Sequence, residues 1–149
     1  HGRDRRQRQM CIRDRNCAGK YALTKAIEYS LSWGLSTLSE RIYYLANQLR
    51  QQLRMLDEVL LTDEGREQCG IVTFHFKSED PTKVQQILKR SNINTCISTG
   101  SGSLLSFSNR GIDKVIRASL HYYNTEGEID AFIKALQHIL TSDTKGKYS

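Results

Sequence analysis

The spacing of hydrophobic and polar positions changes period several times along the chain, and each change marks an element. Lys114 to Tyr122 alternates: Ile116, Ala118, Leu120 and Tyr122 fall on one face of an extended strand, Val115, Arg117, Ser119 and His121 on the other. Thr125 and Glu128 then have the spacing of a capping box. They predict a helix over Thr125–Leu140, with Ile129, Phe132, Ile133, Leu136, Ile139 and Leu140 as its core face. Upstream, Leu23, Ile27 and Leu31 recur every four residues and predict a helix that Gly34 ends. Ser36 is placed to cap a longer one. There Leu38, Ile42, Leu45, Leu49, Leu53 and Leu56 form the strongest periodic stripe in the chain, with Arg41, Gln48, Arg50, Gln51 and Arg54 on the outer faces.

Between these segments lie shorter ones. Glu58–Thr62 reads as a short strand and Cys69–Phe76 as a longer one, with Val72, Phe74 and Phe76 facing one way. Asp80-Pro81 starts a helix whose buried side is Val84, Ile87 and Leu88 and which ends at Ser91-Asn92. Ile93–Thr99 is extended. The run Thr99-Gly100-Ser101-Gly102-Ser103 lacks the spacing of a phosphate-binding loop, which favours a connecting loop. The order is helix, helix, strand, strand, helix, strand, strand, helix. It predicts an α+β fold: a small, mostly antiparallel sheet with helices packed on one face, preceded by a long amphipathic helix pair.

Charge changes this picture at one end only. The net charge is +6 over 149 residues. Residues 1–15 carry six Arg against two Asp, so the remainder stands at only +2. The basic signal belongs to the leader, where a solvated, disordered segment competes with a phosphate-binding arm. Met10-Cys11-Ile12-Arg13-Asp14-Arg15 also matches the translation of sequencing-adapter DNA, so residues 1–15 are set aside from fold and function. The predicted domain is then 16–140, followed by a polar, frayed tail at 141–149. With the leader removed, nucleic-acid binding has no motif to support it. No apolar run reaches membrane-helix length and no signal peptide is visible, so the expectation is no membrane partner and a cytoplasmic location. Cys11, Cys17, Cys69 and Cys96 form no zinc-ligand spacing; buried or inert free thiols are expected.

Arg117 is the leading candidate for chemistry. A guanidinium on a mid-sheet strand is costly to bury unless it meets an anion, and its planar fork suits a carboxylate. A solvated sheet face or a structural ion pair are the competing explanations. Ser119 and His121 share its face by alternation and stand second. His75 has less support, and His138 reads as structural.

The stretch V-I-R-A-S-L-H-Y-Y-N-T-E-G-E-I-D, Val115 to Asp130, resembles the C-terminal end of class V aminotransferases. This is the pyridoxal-phosphate (PLP) family that includes cysteine desulfurases and isopenicillin-N-epimerase-like proteins. The resemblance is specific over Val115–Ile133 and looser from about Asn16 to Leu140. It implies that Arg117, the Arg of the R-A-S stretch, binds the α-carboxylate of an amino-acid substrate, with PLP as cofactor and a homodimer as the complete enzyme. Persulfide-forming desulfurases of the family carry a Cys in the loop before this strand. Here that loop reads Thr99-Gly100-Ser101-Gly102-Ser103, so no persulfide is expected on it and it is more similar to the epimerase-like and aminotransferase-like members. The family's Schiff-base Lys and pyridine-nitrogen Asp belong to a large domain with no counterpart here. The resemblance therefore implies a small domain truncated at its N-terminus, inactive on its own. The alternative is a stand-alone, non-catalytic module that binds an amino acid or carboxylate.

Overall fold

The computed structural model describes residues 17–63, 65–99 and 112–146, and the side chains of these up to Thr141. The chain forms two compact units, divided between Leu38 and Ser39. The first contains helix α1, Cys17–Trp33, which ends at Gly34. Gly34 has φ 82°, a left-handed conformation that favours glycine, and its N–H donates to the Leu31 carbonyl. None of the residues of α1 is buried, so the Leu23–Ile27–Leu31 stripe stays exposed instead of packing.

Helix α2, Leu35–Arg54, crosses the division. It begins one residue before Ser36, which therefore lies in the first turn and not at the cap. In the second unit α2 leads to strands β1 (Val59–Leu61) and β2 (Ile71–Phe76), helix α3 (Pro81–Arg90), strands β3 (Cys96–Thr99) and β4 (Lys114–Ser119), and helix α4 (Glu126–Gly146). The strand order is β1-β2-β4-β3, and every pairing is antiparallel. β4 is thus inserted between β2 and β3, which run parallel to each other. The α+β architecture expected from the element order is the one found.

Alternation decides which side of the sheet is buried. Val72, Phe74 and Phe76 of β2 and Ile116 and Ala118 of β4 point into a core closed by Leu45, Leu49 and Leu53 of α2, Val84 and Leu88 of α3, and Ile129, Phe132, Ile133, Leu136 and Ile139 of α4. Phe74 meets Phe76 and Phe132 edge-on at 5.9 and 6.1 Å. Burying a side chain of this size is worth about 1.5–3 kcal/mol. Gly70, just before β2, is required by close approach: a Cβ there would collide with Ile42 Cγ2 and reach 2.9 Å from the Leu120 carbonyl oxygen.

Local signals hold at the helix starts. Asp80 Oδ1 accepts the Thr82 N–H at 3.2 Å, with Pro81 in the first turn. The Thr125–Glu128 box closes both ways: the Thr125 N–H donates to Glu128 Oε2 at 2.8 Å, and the Glu128 N–H to Thr125 Oγ1 at 3.3 Å. Other expectations are corrected. α4 continues to Gly146, past Leu140, so the polar tail is largely helical. Strand β4 stops at Ser119, three residues short of Tyr122. Cys17, Cys69 and Cys96 are free but exposed, not buried.

The largest correction concerns Arg50. Read as an outer-face residue, it is only 1% exposed. Its Nε donates to Asp63 Oδ2 at 2.7 Å, and Nη2 to the carbonyls of Cys69 and Ile71 at 2.8 and 3.2 Å. It ties α2 to the segments that follow β1 and precede β2. A buried guanidinium persists because nearly all its donors are matched.

Candidate functional site

The helices cover one side of the sheet, and Arg117 stands on the other. Its position follows from β4 being an interior strand: Arg117 pairs with Thr73 of β2 on one side and Cys96 of β3 on the other. Ser119 lies two residues along the same face, opposite Ile71. Ile71 and Leu60 present apolar surface there, 41% and 42% exposed. The face is therefore a strip of hydroxyl, thiol and aliphatic groups with one cation near its middle.

Arg117 is half-buried. Its Nε is fully shielded and has no hydrogen-bond partner. No described residue forms an ion pair or hydrogen bond with its guanidinium. Thr73, its cross-strand neighbour, is already engaged, its Oγ1 accepting from Thr62 Oγ1 at 2.9 Å. An unpaired buried donor on a charged group costs about 1–3 kcal/mol or more. An acceptor placed against it would remove that cost. The guanidinium fork offers two parallel donors to such a group, the geometry that fits a carboxylate.

The other sequence candidates separate. Ser119 stays with Arg117. His121 does not: β4 has ended, and His121 opens a turn in which its N–H donates to Asn124 Oδ1 at 2.8 Å while its carbonyl accepts the Asn124 N–H at 3.0 Å. The imidazole stacks on Tyr123, centroids 4.7 Å apart and 25° between planes. The alternation that placed His121 beside Arg117 lapses at this turn. His75 is half-buried on β2, its Nδ1 3.0 Å from the Phe76 carbonyl oxygen. His138 is exposed on α4. The Gly/Ser run after Thr99 lies outside the described residues. Cys96, by contrast, is a neighbour that the sequence did not place: its strand was visible, but the register that sets it against Arg117 was not.

The turn after β4 is held from α2. Arg41 donates from Nη1 to Glu126 Oε1 at 2.6 Å and from Nη2 to Glu126 Oε2 at 3.0 Å and the Asn124 carbonyl at 3.1 Å. The Arg41 guanidinium, helped by the backbone N–H of Glu126 itself, holds the Glu126 carboxyl down at about 2, against an ordinary 4.5. The Thr125 N–H and then the Asn124 side chain likewise lower Glu128. Both acids are charged at neutral pH and favour the positive end of α4.

The family model of the class-V aminotransferases matches residues 13–132. The chain belongs to the class-V aminotransferase family. It is 24% identical over 128 residues to a probable cysteine desulfurase of Methanothermobacter thermautotrophicus, covering 83% of this chain and 32% of that protein. A probable cysteine desulfurase of Xylella fastidiosa is 27% identical over 124 residues, covering 81% and 29%. The chain thus spans about a third of the length of these curated relatives. Among solved structures, the cysteine desulfurase CsdA of Escherichia coli superposes with a TM-score of 0.78 at 19% identity, over 85% of this chain and 31% of that one. The cysteine desulfurase of Thermococcus onnurineus NA1 gives 0.71 at 24%, over 78% and 29%. These likenesses establish the fold, and the family match its lineage.

The family is PLP-dependent. The described residues that share the face of Arg117 are Leu60, Ile71, Thr73, His75, Cys96, Ser98, Val115 and Ser119, by strand register. They offer no lysine amine. A guanidinium beside hydroxyl groups has the chemistry to hold an anion, not to form the Schiff base with PLP.

Proposed function

We propose that the chain is the small domain of a longer PLP-dependent class-V enzyme acting on an amino acid, in which Arg117 receives the substrate's α-carboxylate. The observation that carries this reading is the half-buried guanidinium, its Nε unpaired, on the sheet face opposite the helices. Two other arginines are matched: Arg50, buried, has a carboxylate and two carbonyls, and Arg41, nearer the surface, a carboxylate and a carbonyl. Arg117 has the same donors and no partner among the described residues. The strands flanking it fix its backbone, so little ordering remains when a carboxylate docks. Partial burial strengthens the contact by lowering the local dielectric.

In this reading Arg117 orients the amino acid, and bond-breaking belongs to the rest of the enzyme. Ser119 extends the polar strip beside it. Homodimerisation and a cytoplasmic location belong to the same proposal, on the family's precedent. The test is kinetic. Arg117→Ala in the complete enzyme is expected to raise KM for the amino acid roughly 10- to 100-fold, the value of a hydrogen-bonded charge pair of about 1.5–3 kcal/mol. Arg117→Lys is expected to recover only part of this, since an ammonium lacks the planar fork. Unchanged KM and kcat in both variants would remove Arg117 from the site. Calorimetry on the 149-residue chain separates the stand-alone module: sub-millimolar binding of an amino acid by this chain, abolished in Arg117→Ala, favours that alternative.

A further inference from the structure

Helix α1 carries a wider apolar surface than a helix normally leaves in water. Leu23, Ile27 and Leu31 form one stripe, and Ala22, Ala26, Tyr29 and Trp33 form a second beside it. At about 100° per residue the two together span roughly 200° of the helix circumference. The five large side chains among them are 50–61% exposed. Tyr29 and Trp33 meet each other edge-on, ring centroids 6.1 Å apart.

The opposite side has another character. Thr24, Lys25, Glu28 and Ser32 gather there, and their polar groups pair within the helix. Lys25 Nζ lies 2.6 Å from Glu28 Oε2. Thr24 Oγ1 donates to the Lys20 carbonyl at 3.0 Å, and Ser32 Oγ to the Tyr29 carbonyl at 2.7 Å. That side suits solvent, and the apolar arc does not.

The width of the arc selects the occupant. A helix lying on a single surface needs an apolar stripe of about 100°. Pairing with the same helix of a second copy covers about that much and leaves the rest of the arc wet. An arc about twice as wide fits a groove with two walls. Lineage says where such a groove lies. α1 falls inside residues 13–132, the part that the family model matches. Most of the length of the curated relatives lies outside the part that matches this chain.

We propose that α1 seats in an apolar groove on the part of the longer enzyme that this chain does not contain. The Leu23–Ile27–Leu31 and Tyr29–Trp33 stripes face its two walls, and Lys25 and Glu28 face outward. The inference rests on the reading of the chain as part of a longer enzyme, but not on Arg117 or its role.

Radical footprinting of side chains tests it, with the 149-residue chain and the complete enzyme labelled in parallel. In the chain alone, Leu23, Tyr29 and Trp33 are expected to react in the range of exposed Tyr123, once normalised for residue type. In the complete enzyme their rates are expected to fall to the range of buried Phe74, and to stay there on dilution. Lys25 is expected to be acetylated equally fast in both. Ile27→Gln, which a helix accepts, is expected to lower the thermal midpoint of the complete enzyme by roughly 5 °C and leave that of the chain unchanged. The proposal is overturned if the arc stays reactive in the complete enzyme, or if it is already protected in the chain alone. It is also overturned if protection is lost on dilution, which would assign the face to a second copy. These outcomes are read on the unsubstituted protein, so they stand even if Ile27→Gln fails to fold. A native protein of only 149 residues would instead overturn the longer-enzyme reading, and this inference with it.

Discussion

Arg50 and Arg117 sit in two regions of the second unit that obey opposite rules. Arg50 belongs to the helical layer, is almost wholly shielded, and meets Asp63 and two backbone carbonyls. Arg117 belongs to the open face of the sheet, is half-buried, and meets no acceptor among the described residues. The same side chain is a structural tie in one region and is left unmatched in the other. The difference lies in the acceptors supplied, not in the arginine. A buried cation whose partners all come from its own chain serves the fold; one left unmatched is the group on which the proposed carboxylate contact rests.

That contrast can be broken most forcefully at Arg50. Arg50→Ala leaves the Asp63 carboxylate buried without its cation, and is expected to destabilise the chain by about 3–5 kcal/mol in urea unfolding. Replacing both partners, Arg50→Met with Asp63→Leu, is expected to restore most of the loss, because the damage comes from the stranded charge. If the double variant is as unstable as the single one, the carbonyl contacts and not the ion pair are what matter. Gly70→Ala comes next. The added Cβ meets Ile42 and the Leu120 carbonyl between α2 and the β2–β4 edge, so a loss of about 1–3 kcal/mol is expected. Pairing it with Ile42→Ala is expected to recover part of that.

Arg117→Ala is expected not to destabilise the chain, since it removes no hydrogen bond, strands no partner and relieves an unpaired buried donor. Its effect should appear in carboxylate binding alone. Unfolding midpoints for the Arg50 and Arg117 variants measured side by side therefore sharpen the comparison directly. A large stability loss at Arg117 would make it a second Arg50 and undo the functional reading.

Much of this was legible from local pattern. Alternation in β2 and β4 named the core face because the helices pack on that side, although Val115 on the opposite face is buried too. Both helix N-termini in the sheet unit were legible because caps act within three residues. Arg50 was not, yet its spacing held a clue. Ala46, Arg50 and Leu53 step by four and three, which puts Arg50 on the stripe with two fully buried residues. The charge argued against burial, and the acceptors that overcome it come from distant turns. His121 was misplaced because alternation has no stop signal of its own. The strand ends where the Asn124 side chain captures the His121 N–H. The setting of Cys96 beside Arg117 needed the pairing of β3 with β4, which no period encodes. Arg117 itself was named from residue type and resemblance; only the structure showed it unmatched.

The smallest expected effect lies at the third arginine, Arg41, whose partner Glu126 is at the surface. The folded-state carboxyl titrates at about 2, against 4.5 for the free group, so its pKa is depressed by folding. A depressed carboxyl binds fewer protons in the folded state than in the unfolded one. Its contribution is then complete above about 4.5 and is lost as pH falls toward about 2. Glu126→Gln is expected to lower the unfolding midpoint slightly at pH 6, with the gap from the parent closing between pH 4.5 and 2. Added salt should narrow the gap at pH 6, because this pair is open to solvent. Salt should affect the Arg50 variants less, because their pair is largely shielded, with side chains 2% and 14% exposed. A gap at Glu126 that ignores both pH and salt would mean that the contact to the Asn124 carbonyl holds the turn, and that the carboxylate is incidental.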